Sequence, residues 1–176
     1  MAVKSLIFKN ILLLVLIISV LQISCKKPDD PVQSDIVINE LLPVNKSIAP
    51  DQNGEFDDWI ELYNKSNTER DISGYFLSDN KDHFSKWEFP SGTAIPGKGY
   101  LIIWADDDSA QVGLHANFKL SSLGEEVLLS TPEGTLIDKV IYPGQTIELS
   151  FSRNPDGTGS FKWQVPTFNS SNNISK

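Results

Sequence analysis

The chain has 176 residues, a formal net charge of −8 and a single cysteine. One cysteine excludes an intramolecular disulfide and a cysteine zinc site. The acidic balance argues against nucleic acid, whose phosphates call for clustered Lys and Arg.

Lys4 and Lys9 make a short basic start, and Ile11 to Leu21 runs apolar except for Ser19. The sequence continues Leu21-Gln22-Ile23-Ser24-Cys25 and then turns polar at Lys26-Lys27-Pro28-Asp29-Asp30. A basic start, a short apolar run and a small residue before the cut are the parts of a secretory signal peptide. The run is too short to cross a bilayer as a helix, which takes about 20 apolar residues. The cysteine directly after Ser24 resembles the lipobox of a bacterial lipoprotein, although Gln22 departs from its usual pattern. That resemblance implies a helical signal segment at 1–24, a lipid on Cys25 and attachment to the bacterial cell envelope, at the outer membrane. The competing reading is an ordinary secretory signal with an incidental cysteine. Removing residues 1–24 from 176 leaves 152, a length that suits one domain, and moves the charge from −8 to −10 because Lys4 and Lys9 go with it.

Residues 25–34 carry prolines and charges and read as a flexible tether behind the lipidated Cys25. Residues 35–165 form the domain. They show short β-rich runs broken by Gly, Pro, Asn and Asp rather than a helical period. Ile36 to Leu42 is a first strand, stopped by Pro43. Trp59 to Tyr63 alternates, with Ile60 and Leu62 on one face. Tyr75 to Ser78 and Phe84 to Phe89 are shorter strands. Tyr100 to Trp104 is apolar on both faces and reads as buried on both sides or central in its sheet. Val127 to Leu129 and Leu136 to Tyr142 flank the turn Pro132-Glu133-Gly134. Ser150 to Arg153 and Ser160 to Trp163 flank Asn154-Pro155-Asp156-Gly157. Asn117 to Gly124 is the one stretch with room for a helical turn. Residues 166–176, rich in Ser and Asn, read as a flexible tail. The fold class is all-β, an antiparallel sandwich or barrel of seven to nine short strands. Four Trp, four Tyr and nine Phe supply its core. Trp59, Tyr63, Tyr75, Trp87 and Trp104 read as core or sheet-face aromatics rather than a ligand platform.

Several segments, in order, carry a family resemblance. They are Ile38-Asn39-Glu40-Leu41, the run Gly54 to Asn64, Asp71 to Asp79, Trp87 to Pro90, Ile95 to Tyr100 and Asn117 to Leu120. Glu125-Glu126, Pro132 to Asp138 and Ser152 to Gly157 complete the set. Together they resemble the lamin tail domain in its bacterial extracellular form. The resemblance implies an immunoglobulin-like β-sandwich and a non-catalytic module, of a kind often attached to secreted nucleases, other hydrolases or cell-surface proteins. Read from the residues, Gly74 and Gly97 sit where the backbone needs a positive φ or a tight turn. Asn39 and Glu40 fall in an otherwise aliphatic strand, so a Glu placed inside needs partners.

Catalysis needs a nucleophile, an acid/base pair or a metal at compatible spacing. No nucleophile elbow, His-Glu-x-x-His motif or phosphate loop occurs in the sequence. His83 and His115, the two histidines, read as surface or edge residues. The best candidate for specific chemistry is calcium. Asp51, Asn53, Glu55, Asp57 and Asp58 place oxygens through one loop, and a hard cation takes six to eight of them. Asp106, Asp107 and Asp108 form a second acidic cluster at a strand end, and if the two clusters converge they supply a cation-stabilised loop end. The alternative is solvated loop acids that blunt sheet edges. No other cofactor is implied. Asp108-Ser109-Ala110 resembles a short bacterial O-glycosylation signal. Asn45-Lys46-Ser47 and Asn64-Lys65-Ser66 fit the N-glycosylation pattern, which means little behind a bacterial signal.

The expected function is a lipid-anchored envelope protein presenting one sandwich as a binding or scaffold module. Its partners are the membrane, through the lipid on Cys25, and an envelope protein or glycan. The loops Ile48 to Asp57 and Asp106 to His115 are the recognition surfaces to examine first. An accessory subunit of a secreted nuclease or other hydrolase is the second reading, and a small secreted hydrolase the third.

Overall fold

A computed structural model of the chain describes residues 31–145 and 147–173. The leader 1–24, Cys25 and the tether through Asp30 lie outside the described residues, as do 174–176. No helix occurs among the described residues, so the stretch Asn117 to Gly124 holds turns and a strand start instead of a helical turn.

The strands, in chain order, are β1 (Ile36–Leu42), β2 (Trp59–Asn64), β3 (Arg70–Asp71), β4 (Phe76–Ser78), β5 (Trp87–Glu88) and β6 (Ala94–Ile95). They continue with β7 (Tyr100–Ala105), β8 (His115–Ala116), β9 (Gly124–Ser130), β10 (Leu136–Pro143), β11 (Ser150–Asn154) and β12 (Ser160–Gln164). A six-stranded sheet runs β12-β11-β1-β2-β7-β8, and a four-stranded sheet runs β10-β9-β4-β5. A two-stranded ribbon pairs β3 with β6. Every pairing is antiparallel except β7 with β8. This is an all-β, immunoglobulin-like sandwich.

The main core lies between the two large sheets. Ile36, Ile38 and Leu41 of β1 join Ile60 and Leu62 of β2 and Ile103 of β7 from one side. Leu77, Val127, Leu129 and Val140 meet them from the other. A strict two-residue period would send Ile38 and Leu41 to opposite faces. A β-bulge between Ile38 and Glu40 inserts Asn39 and resets the alternation, so both point inward. Asp138 of β10 and Arg153 of β11 tie the sheets at that bulge. Asp138 Oδ2 accepts from the Ile38 N–H at 2.8 Å and Oδ1 from Arg153 Nη2 at 3.0 Å, while Arg153 Nε donates to the Ile38 carbonyl at 2.9 Å.

The outer face of the six-stranded sheet is covered, and by an unexpected segment. Residues 166–173 do not fray. Phe168 packs edge-on to Trp59 at 5.4 Å between ring centroids and tilted on Trp104 at 5.7 Å. With Leu42 and Ala49 these rings form a second small core. The backbone N–H groups of Thr167 and Asn169 donate to Glu40 Oε1 at 3.0 Å and Glu61 Oε2 at 2.8 Å. Asn172, fully buried, donates to the Asn39 carbonyl. Composition suggested a tail because Ser and Asn are usually solvated. Here the backbone N–H groups of the segment, the Thr167 hydroxyl and the Asn172 amide satisfy the polar groups of Asn39, Glu40 and Glu61.

Two further expectations change for local reasons. β7 lies inside its sheet, paired with β2 and β8, but it is not buried on both sides. Its first three residues are half-buried, and beyond it lies only the two-residue β8. β1 fills that role, with all seven residues buried. The strand expected over Phe84 to Phe89 shrinks to β5, because residues up to Ser85 turn. Gly74 takes the expected positive φ, at 75°. Gly97 is required for space, since a Cβ there would lie 2.3 Å from the Asn67 backbone.

Candidate metal centre

The loop leaving β1 is organised by one side chain. Asn45 Nδ2 donates to the carbonyls of Ala49 and Asp57, both at 2.8 Å, and its backbone N–H donates to Asp58 Oδ1 at 3.2 Å. The two ends of the loop are thereby held together. Asp51 then closes a turn at its tip. Asp51 Oδ1 accepts the N–H groups of Asn53 at 2.9 Å and Glu55 at 2.7 Å, an Asx-type turn. Gly54 sits at φ 86° inside it. A left-handed residue there lets the chain reverse, so Asp51 and Glu55 face each other.

This geometry brings together carboxylate oxygens of Asp51, Glu55 and Asp57, all within 4.8 Å of one another. Asp51 is only 8% exposed, and its Oδ2 has no hydrogen-bond partner. Asp57 Oδ2 is in the same position. The remaining two residues expected there go elsewhere. Asn53 is exposed and contributes its backbone N–H to Asp51. Asp58 turns to Asn45, outside the three-carboxylate group, and burial lifts its carboxyl to about 6.

The loop that follows β7 reaches the same place. Gln111 Nε2 donates to Glu55 Oε2 at 2.8 Å and to Asp108 Oδ2 at 3.2 Å, while its Oε1 is buried without a partner. A Cβ on Gly113 would lie 3.1 Å from the Gln52 amide oxygen, so the two loops touch. Burial, then the charges of Asp106, Asp51 and Glu55, push the Asp57 carboxyl above its ordinary value, against a smaller opposing pull from His115.

The acidic triplet itself divides. Asp106 is buried and accepts from His115 Nδ1 at 2.6 Å. Asp107 is exposed with φ 60°, and Asp108 is exposed beside Gln111. His115 therefore lies on the edge strand β8 rather than at the surface. It is buried, and its Nε2 has no partner. His83 is exposed as expected. Both N-glycosylation patterns are occupied structurally: Asn45 is spent on its loop, and Asn64 Nδ2 donates to the carbonyls of Thr68, Ile95 and Pro96. Ser109 is exposed. Sequence reasoning did not find Gln111 or the organising Asn45. A neutral amide among acids carries no pattern of its own.

A sequence model of the Lamin Tail Domain matches residues 30–144. The chain belongs to the lamin tail domain family. No curated protein matches the chain. The match holds both loops of the candidate centre and ends just after β10. The β11–β12 hairpin and the segment over Glu40 and Glu61 lie beyond it, as do the Ser152 to Gly157 residues of the resemblance drawn from sequence. Lamin tail domains are non-catalytic immunoglobulin-like modules.

Proposed function

We propose that this chain is a lipid-anchored protein of the bacterial cell envelope, whose lamin tail domain acts as a non-catalytic binding module for an envelope protein or glycan. The observation that carries the binding role is the meeting of two loops at one end of the sandwich. The loop after β1 and the loop after β7 are separated in sequence, yet Glu55 and Gln111 join them. Ile48, Phe56 and Val112 stand exposed on these loops around the carboxylates. Apolar side chains set among polar groups on a rigid frame are what a recognition surface needs. The anchor is supported by sequence: Cys25 follows an apolar run and precedes a polar tether that leads to β1.

Fractionation of cells tests the anchor. Wild-type protein is expected in the membrane pellet and labelled by radioactive palmitate, and Cys25→Ser in the soluble fraction without label. Equal membrane recovery of the Cys25→Ser protein would defeat the anchor. For the binding role, Phe56→Ser with Val112→Ser is expected to lose envelope material that the wild-type chain retains on affinity capture. Identical capture by both would defeat it.

A further inference from the structure

We propose that Asp51, Glu55 and Asp57, with the amide oxygen of Gln111, form a binding site for a hard divalent cation of the calcium type. This goes beyond the anchored-module reading and stands whether or not Cys25 carries lipid. Three observations carry it. First, the three carboxylates offer oxygens within 4.8 Å of one another. Two oxygens about 2.4 Å from one calcium ion, on opposite sides of it, are at most about 4.8 Å apart. Second, the oxygens are unsatisfied where they should not be. Asp51 is more than nine-tenths buried and Oδ2 has no partner, and the same holds for the oxygens Asp57 Oδ2 and Gln111 Oε1. Buried oxygens without donors are unfavourable, and buried carboxylates more so. An external cation supplies what the described residues do not. Third, the opposite oxygens of two of these carboxylates are anchored. Asp51 Oδ1 is fixed by two backbone N–H groups and Glu55 Oε2 by Gln111, so the free oxygens are presented rather than left to rotate.

The donor set selects the metal class. The group contains no Cys or His, so soft or borderline ions such as zinc have no ligand of their preference. An irregular loop suits the six to eight ligands and loose geometry of calcium, whereas magnesium demands a near-ideal octahedron.

The test is thermal unfolding of the full chain in mild detergent, with chelator, with about 10 mM CaCl2 and with about 10 mM MgCl2. Extracellular calcium modules bind at about 10⁻⁴ M or weaker, so this approaches a hundredfold excess. CaCl2 is expected to raise the Tm by roughly 5–10 °C over chelator, and MgCl2 by much less. Asp57→Asn keeps the shape and removes a ligand charge. It is expected to lose the calcium increment and, in chelator, to melt at or above the wild-type temperature. Glu55→Gln, at an exposed position, supplies the same test if Asp57→Asn does not fold. An unchanged wild-type Tm with CaCl2, an equal rise with MgCl2, or a full calcium rise in both variants would overturn the assignment.

Discussion

Two groups of acids in this domain solve the same problem in opposite ways. Glu40 and Glu61 face each other across β1 and β2 and are fully buried. The chain supplies their donors itself: Thr167 N–H and Oγ1 for Glu40, Asn39 Nδ2 and Asn169 N–H for Glu61. Burial still dominates, lifting Glu40 above its ordinary value and Glu61 to about 8. Asp51 and Asp57, at the loop end, have oxygens that no donor among the described residues reaches. The first group is completed from within by a covering segment and by a proton. The second has no such completion among the described residues. A buried carboxylate is thus not a functional signal in itself, and the presence or absence of built-in donors separates the two cases.

Removing the covering segment should give the largest effect. A chain ending at Val165 loses Phe168 from the Trp59 and Trp104 rings, the Thr167 donors from Glu40 and the Asn169 N–H from Glu61. Unmade buried hydrogen bonds at about 1–3 kcal/mol each, together with the lost ring packing, predict a destabilisation of about 3–5 kcal/mol. The midpoint of urea unfolding measures it. A midpoint within error of wild type would show the segment to be a passive tail.

The second effect is on pH. Glu61 has a folded value raised from 4.5 to about 8. The folded state therefore holds a proton that the unfolded state releases. The stability from this group is complete below about 4.5 and is lost as pH rises to about 8. Asp57, Asp58 and Glu125 are raised as well and act in the same direction. The Tm should fall between pH 5 and pH 9, by an amount reflecting about 1.4 kcal/mol per unit separating the two values of each group. Glu61→Gln is expected to flatten that fall while costing about 1 kcal/mol at pH 6, since its amide cannot accept from Asn169 as well as from Asn39. An unchanged slope in the variant would move the proton to another group.

How much of this was legible follows the same division. β1, β2 and the two C-terminal hairpins could be read because their aliphatic and aromatic runs are bounded by turn residues, and turn chemistry is local. The inward pair Ile38 and Leu41 was not readable as such, because a bulge breaks the period that reading depends on. The covering role of 167–173 was hidden for a related reason. Ser, Thr and Asn have the composition of a solvated tail, and only the buried Glu40 and Glu61 opposite turn them into structural donors. At the loop end, Asp51, Glu55 and Asp57 were legible as acids in one loop. Asp58 was not separable from Asp57 by spacing, since Asn45 decides which of the two turns away. The burial of His115 on its edge strand was not readable, because an isolated histidine in sequence gives no sign of Asp106, nine positions earlier, beside it.

The smallest effect separates the two regions by screening. In chelator, raising NaCl from about 0.1 M to about 1 M shortens the Debye length from about 10 Å to about 3 Å. The covered pair Glu40 and Glu61 is insulated from ions, and Glu61, with its value near 8, is largely neutral near pH 6, so salt should leave the pair nearly unaffected. The loop end is partly open, with Glu55 exposed and Asp57 half-buried, and the mutual repulsion there is within reach of ions. Screening should raise stability by roughly 0.5 kcal/mol, or about 1–2 °C in Tm. Any protein with a charge of −8 gains something from salt through its whole surface, so the informative quantity is the difference between variants. Asp57→Asn should lose part of the salt response and Glu61→Gln, at pH 6, none of it. If both variants kept the full response, the repulsion would be spread over the surface, and the loop end would have no special claim on a cation.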